Sequence, residues 1–203
     1  MGKPVLYGSS QSRAIRSLWA IEETGIDYDH VPTKYNEESK ASDYIAVNPN
    51  GRIPALVDGD LTLCESMAIN LYLARTYGSD INTTNPADEA RAQQWSVWGI
   101  SEIEPLQMRI VVQKFFVSDE DRNMKAIEGA EKGLKRPLTV LDQHLANSRY
   151  LLGDSFTIAD LNLAGVMVLL KQTKTDLSAY ANVLRWMDEC YGRPALALAR
   201  EKD

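Results

Sequence analysis

The sequence predicts an α+β fold in two unlike parts, a small mixed sheet with helices followed by an all-helical region. Three observations predict it. Over residues 1–78 short apolar runs alternate with helical stripes in the order βαβαββα. Residues 79–86 are polar and turn-rich, with Asn82-Thr83-Thr84-Asn85-Pro86, and read as a linker. From residue 87 to 203 the apolar residues recur at helical spacing.

The elements follow in order. Pro4-Val5-Leu6-Tyr7 is a short strand ended by Gly8. Arg13 to Thr24 carries Ala14, Ile15, Leu18, Trp19 and Ile21 on one stripe, and Gly25 stops that helix. Ile26 to Thr33 reads as a second strand and Ser39 to Val47 as a short helix. Ile53 to Val57 and Leu61 to Leu63 pair around Asp58-Gly59-Asp60, and Ser66 to Tyr77 is a helix closed by Gly78. In the second part, Ala87 to Phe116 is a long helix that Pro105 should kink. Glu120 to Asn147 is another, with Pro137 as its expected bend. Thr157 to Lys171 is almost wholly apolar and is the expected core helix. Two shorter helices follow, around Trp186 and after Pro194.

Composition narrows the function classes. A net charge of −6 with no Lys/Arg cluster disfavours nucleic acid or an anionic membrane as partner. No apolar stretch approaches the roughly 20 residues that span a bilayer. Met1-Gly2-Lys3-Pro4 lacks the apolar run of a signal peptide. Cys64 and Cys190 lie far apart and form no CxxC, which suits a reducing, cytoplasmic setting. His30 and His144 have no Cys or carboxylate cluster around them, so no metal is expected.

The most specific stretch is Asn48-Pro49-Asn50-Gly51-Arg52-Ile53-Pro54-Ala55-Leu56, followed by Glu65-Ser66. Proline at 54 holds Ile53 extended, so its backbone can pair with an extended ligand as an added strand does. A cis bond is tolerated at such an X-Pro turn. Glu65-Ser66 falls where the next helix starts, and there a hydroxyl, unpaired N–H groups and the dipole favour a carboxylate. The ligand implied is an extended peptide with a free carboxylate and a free amine.

Together with Tyr150 to Asp160 (YLLGDSFTIAD), these segments resemble the cytosolic glutathione transferases over essentially the whole chain. The first matches the family's NPxGxVPxL segment, Glu65-Ser66 its ES pair, and the last its C-terminal-domain signature. Thr157 and Asp160 also have the spacing of a capping box. The resemblance implies a thioredoxin-like domain over 1–78, a linker over 79–86 and a helical domain over 87–203. It implies glutathione as co-substrate, a small hydrophobic electrophile as second substrate, and a homodimer.

Transfer to glutathione needs its thiol as thiolate. Lowering a thiol from about 8.5 by about two units takes roughly 2.7 kcal/mol of preference for the anion. A hydroxyl donor with a helix N-terminus is of that order. Gly8-Ser9-Ser10-Gln11-Ser12 offers both. Ser9 is the first choice, because Gly8 to Ala14 resembles the serine-type delta class. Ser12 competes through the phi-class spacing, and Tyr7 through that of the tyrosine-type classes. SxxS in place of the superfamily's CxxC removes the nucleophile for disulfide exchange, and Cys64 is expected to be buried core.

By the same resemblance Ile53 supplies the backbone pairing and Pro54 the turn. Ser66 takes the γ-glutamyl carboxylate and Glu65 the amine. Arg52 stands near the ligand, Lys40 is positioned for the glycyl carboxylate, and Asp160 is structural. The electrophile pocket is expected between the domains, lined by Gln11, the Trp98–Met108 stretch and Phe115-Phe116. Two alternatives remain at this point: a glutathione-dependent peroxidase or isomerase, and a binding module of the same fold without turnover.

Overall fold

A computed structural model describes residues 2–78 and 80–202. It divides into two compact units, residues up to 84 together with 192 onward, and residues 85–191.

The first unit is built on a four-stranded sheet of order β2-β1-β3-β4. Its strands are β1 (Val5–Tyr7), β2 (Asp29–Val31), β3 (Ala55–Asp58) and β4 (Leu61–Cys64). β1 runs parallel to β2 and antiparallel to β3, and β3 and β4 form the hairpin around Gly59. Leu6 on β1 faces Leu56 on β3 in the register, and both are fully buried. Helix α1 (Ile15–Thr24) packs on α3 (Ser66–Thr76), burying Leu18, Trp19, Ile21, Ile69 and Leu73. Each such side chain contributes about 1.5–3 kcal/mol when taken out of water. The segment expected as one helix over 39–47 is a 3-10 turn (Glu38–Lys40) and then α2 (Ser42–Val47). The expected strand over 26–33 shortens to three residues.

The second unit holds α4 (Pro86–Trp98), α5 (Glu104–Phe115), α6 (Met124–Leu145), α7 (Ile158–Gln172) and α8 (Ala181–Tyr191). Pro105 does not break the helix. A π-helical turn over Gly99–Ile103 precedes it, which absorbs the register that a proline without an N–H cannot keep. α6 runs on through Pro137. α7 is buried nearly all round against α4, α5 and α8, as its apolar sequence predicts.

One boundary is corrected. The last helix, α9 (Pro194–Arg200), packs on α1 in the first unit and does not join the helical one. Arg193 fastens it: Nε and Nη2 donate to the two Glu23 carboxylate oxygens at 2.6 and 2.7 Å. Lys202 pairs with Glu22 at 2.9 Å. Bidentate partners 170 residues apart leave no trace in local periodicity. Ile81, inside the expected linker, is buried, so that segment is anchored.

Candidate active site

The register of the sheet determines which loops share an edge. Tyr7 pairs with Ala55, and Ala55 with Cys64. The loop after β1 (Gly8 to Ser12), the loop before β3 (Arg52 to Pro54) and the start of α3 (Glu65-Ser66) therefore leave the sheet side by side. Residues 40 sequence positions or more apart thus become neighbours.

Gly8 is where the first two loops touch. Its φ is +138, and a Cβ there would sit 2.3 Å from the Ala14 Cβ, 3.5 Å from the Ile53 Cβ and 3.6 Å from the Pro54 Cα. Only glycine fits, on both conformational and steric grounds. Beyond Gly8, Ser12 Oγ donates to the Ser9 carbonyl at 2.7 Å and accepts the Ala14 N–H at 3.0 Å. It thereby serves the turn leading into α1. Ser9 Oγ accepts the Gln11 N–H at 3.3 Å. Tyr7 packs edge-on against Tyr44 with ring centroids 5.8 Å apart, in a cluster with Ile53, Ala55 and Val47.

The second loop is held from below. Tyr44 OH and Asn48 Nδ2 both donate to the Arg52 carbonyl at 2.6 Å. Burial, above all, pushes the Tyr44 phenol up to about 12. Asn48 also closes the turn through its Oδ1, which accepts the Asn50 N–H at 3.1 Å. Lys40 Nζ donates to the Gly51 carbonyl at 2.7 Å, so one of its three donors is committed to this loop. The Arg52 side chain is exposed. The Ile53–Pro54 bond is cis, and Ile53 lies just outside the sheet register, which begins at Ala55.

At the third loop α3 begins without a side-chain cap. Glu65 is exposed with φ 73, a conformation few non-glycine residues adopt. Ser66 is buried at the first helical position. Cys64 is half-buried, not the core residue expected, because β4 is the edge strand and only β3 covers it. Composition and motif did not single out Tyr44 or His30, whose Nε2 lies 2.7 Å from the Gly8 carbonyl. Neither has a local sequence signal: Tyr44 reads as one apolar position of a short helix and His30 as one residue of a strand.

In the second unit Asp160 is fully buried. Its Oδ1 accepts the Leu151 N–H and the Trp186 indole N–H at 2.8 Å each, and its Oδ2 the Thr157 N–H at 2.9 Å. The capping box with Thr157 is formed. Among the described residues no group of His, Cys, Asp and Glu is arranged to hold a metal ion.

Comparison with known proteins meets this geometry. The family model of the glutathione S-transferase N-terminal domain matches residues 5–75, and that of the C-terminal domain residues 104–194. Glutathione S-transferase 3 of Zea mays is 34% identical over 94% of this chain and 90% of its own length. The chain belongs to the glutathione S-transferase family. Glutathione S-transferase GstB of Escherichia coli is 29% identical over 94% of each chain. Among solved structures, the theta class glutathione S-transferase of Xanthomonas axonopodis pv. citri, with glutathione bound, superposes with a TM-score of 0.89. It is 26% identical and covers 100% of this chain and 99% of its own. The transferase family's N-terminal model thus spans all three loops at the sheet edge, and its C-terminal model spans the Asp160 centre.

Proposed function

We propose that this chain binds glutathione at the Tyr7–Ala55–Cys64 edge of its sheet and holds its thiol as thiolate for attack on a small hydrophobic electrophile, whose alkyl or aryl group ends on the glutathione sulfur. The observation that carries the reading is the alignment of three loops by strand register: one with hydroxyls, one extended before Pro54, one an uncapped helix start. An extended tripeptide fits that order. Its backbone pairs with Ile53, its γ-glutamyl carboxylate lies at Ser66 and the N–H groups of α3, and its amine at Glu65. Lys40, already holding Gly51 in place, has two further donors for the glycyl carboxylate. Arg52 adds an exposed positive charge beside the anionic ligand. The subunit acts in the cytoplasm as a homodimer, which size-exclusion chromatography tests.

Ser9 is the assigned thiolate partner. It stands next to Gly8, where an added Cβ would meet Ile53 and Pro54, whereas the Tyr7 ring is spent on packing against Tyr44. One observation favours Ser12 as a second reading. Its Oγ accepts an N–H in the turn that starts α1, which polarises its own proton toward an anion, although that proton now goes to the Ser9 carbonyl.

The experiment is calorimetric titration with glutathione, together with the pH titration of thiolate absorbance in the bound state. Wild type, Ser9→Ala, Ser12→Ala and Tyr7→Phe are compared. Ser9→Ala is expected to raise the thiol midpoint with affinity nearly kept. An unchanged midpoint in Ser9→Ala with a raised one in Ser12→Ala transfers the role to Ser12. Absence of glutathione binding in the wild type overturns the proposed function.

A further inference from the structure

We propose that His30 is a positioning residue for the thiol-activating loop, acting through the Gly8–Ser9 peptide. In the register His30 on β2 faces Leu6 on β1, one strand away from the loop. Its Nε2 nevertheless reaches the Gly8 carbonyl at 2.7 Å. A carbonyl only accepts, so Nε2 carries the proton and the imidazole is the donor. On the other side of the same residue, the Gly8 N–H donates to the Val31 carbonyl at 3.1 Å. β2 therefore grips Gly8 at both its N–H and its C=O.

The grip matters because of where Gly8 stands. It has no Cβ, so its own side chain offers no resistance to rotation about its backbone. Yet rotation of the Gly8–Ser9 peptide turns everything downstream. The next carbonyl, that of Ser9, receives both the Ser12 N–H at 3.0 Å and the Ser12 hydroxyl at 2.7 Å. His30 sets the first peptide plane, Ser12 is hung on the second, and the Ser9 hydroxyl lies between them. Whichever serine meets the sulfur, its direction depends on the bond from His30.

The role in catalysis rests on the proposed glutathione chemistry, but the loop's dependence on His30 does not. Two variants separate them: His30→Leu, which fills the space without a donor and excludes water, and His30→Gln, which restores a side-chain N–H. In the free protein the Ser9, Gln11 and Ser12 backbone amide resonances are expected to shift and broaden in His30→Leu and to return toward wild type in His30→Gln. In the glutathione complex His30→Leu is expected to raise the thiol midpoint by about one unit and lower kcat about tenfold, with KM for glutathione little changed. His30→Gln is expected to recover most of both.

Loop amides unchanged in His30→Leu overturn the proposal whether or not glutathione binds. Perturbed amides with an unmoved thiol midpoint and kcat overturn the positioning role as well. If the wild type binds no glutathione, the amide comparison still decides whether His30 governs the loop, and the proposed function alone fails.

Discussion

The start of α3 in the sheet unit differs from four helix starts of the helical unit. In the helical unit, four helix starts are satisfied by the chain's own side chains. Asn85 caps α4, Asn123 caps α6, Asp160 sits at the start of α7, and Asp142 accepts the N–H groups of Asn182 and Val183 at the start of α8. In the sheet unit α3 begins with no side-chain cap. A helix start leaves N–H groups that need an acceptor and a positive end that favours an anion. An internal carboxylate such as Asp160 turns that demand into stability. An uncapped start such as that of α3 leaves the demand for a ligand. Under the proposed function the same chemical feature is structural in one unit and a binding site in the other.

The comparison breaks first at Asp160. Asp160→Ala leaves the Leu151, Thr157 and Trp186 N–H donors without their acceptor in a fully buried place. The expected loss is about 3–5 kcal/mol in urea denaturation, with glutathione affinity per folded molecule unchanged. A loss below about 1 kcal/mol would mean that the internal carboxylate is not what holds α7 in place.

Alkaline pH probes the other unit, where a neutral phenol, not a carboxylate, holds the loop before β3. The Tyr44 phenol is raised from 10.0 to about 12, chiefly by burial. Below about pH 10 both folded and unfolded chains keep the proton, and the stabilisation is complete. Between about 10 and 12 only the unfolded chain ionises, so stability falls, by about 2–3 kcal/mol for this group. Tyr44→Phe removes that part of the alkaline slope. At neutral pH it costs about 1 kcal/mol for the hydrogen bond to the Arg52 carbonyl, which Asn48 also holds. Denaturation midpoints from pH 7 to 12 for both proteins check this, and parallel slopes would refute it.

Ser66→Ala gives the mirror image of Asp160→Ala. Helix α3 starts without a side-chain cap, so stability should stay within about 0.5 kcal/mol. Glutathione affinity should fall by about 1.5–3 kcal/mol, the range of a hydrogen bond to a charged group. Calorimetry and denaturation on the same sample read both numbers. A stability loss without an affinity loss would make α3 a structural helix start like α7.

Residue types and spacing made much of this legible. The glycine and proline positions of the 48–56 turn, the Thr157–Asp160 box and the apolar face of α7 are local patterns, and local patterns carry over into structure. What sequence left open depends on contacts across long separations. Arg193 on Glu23 reassigns α9 to the sheet unit, the edge position of β4 exposes Cys64, and His30 on β2 reaches Gly8 at the end of the neighbouring strand. The three candidate hydroxyls, of Tyr7, Ser9 and Ser12, differ by bonds that no motif encodes. Ser12 is tied to the Ser9 carbonyl and Tyr7 to the Tyr44 ring.

The smallest expected effect is also the most discriminating, because it changes sign. Glu65 opens α3 at φ 73 and ψ 111, where a Cβ is unfavourable by about 1–3 kcal/mol. Its side chain is exposed and caps nothing, so the fold gains little from glutamate there. Glu65→Gly relieves the backbone, while glycine's extra freedom in the unfolded chain takes part of the gain back. The net expectation is a protein more stable by about 0.5–1 kcal/mol that binds glutathione more weakly, having lost the carboxylate proposed to face the ligand's amine. Glu65→Ala keeps the strained backbone, so it should weaken binding without the gain in stability. Lower stability in Glu65→Gly would show that the glutamate serves the fold, as Asp160 does. Higher stability with weaker binding means that the chain holds a residue against its backbone preference at the uncapped start of α3, where the proposed function places the ligand.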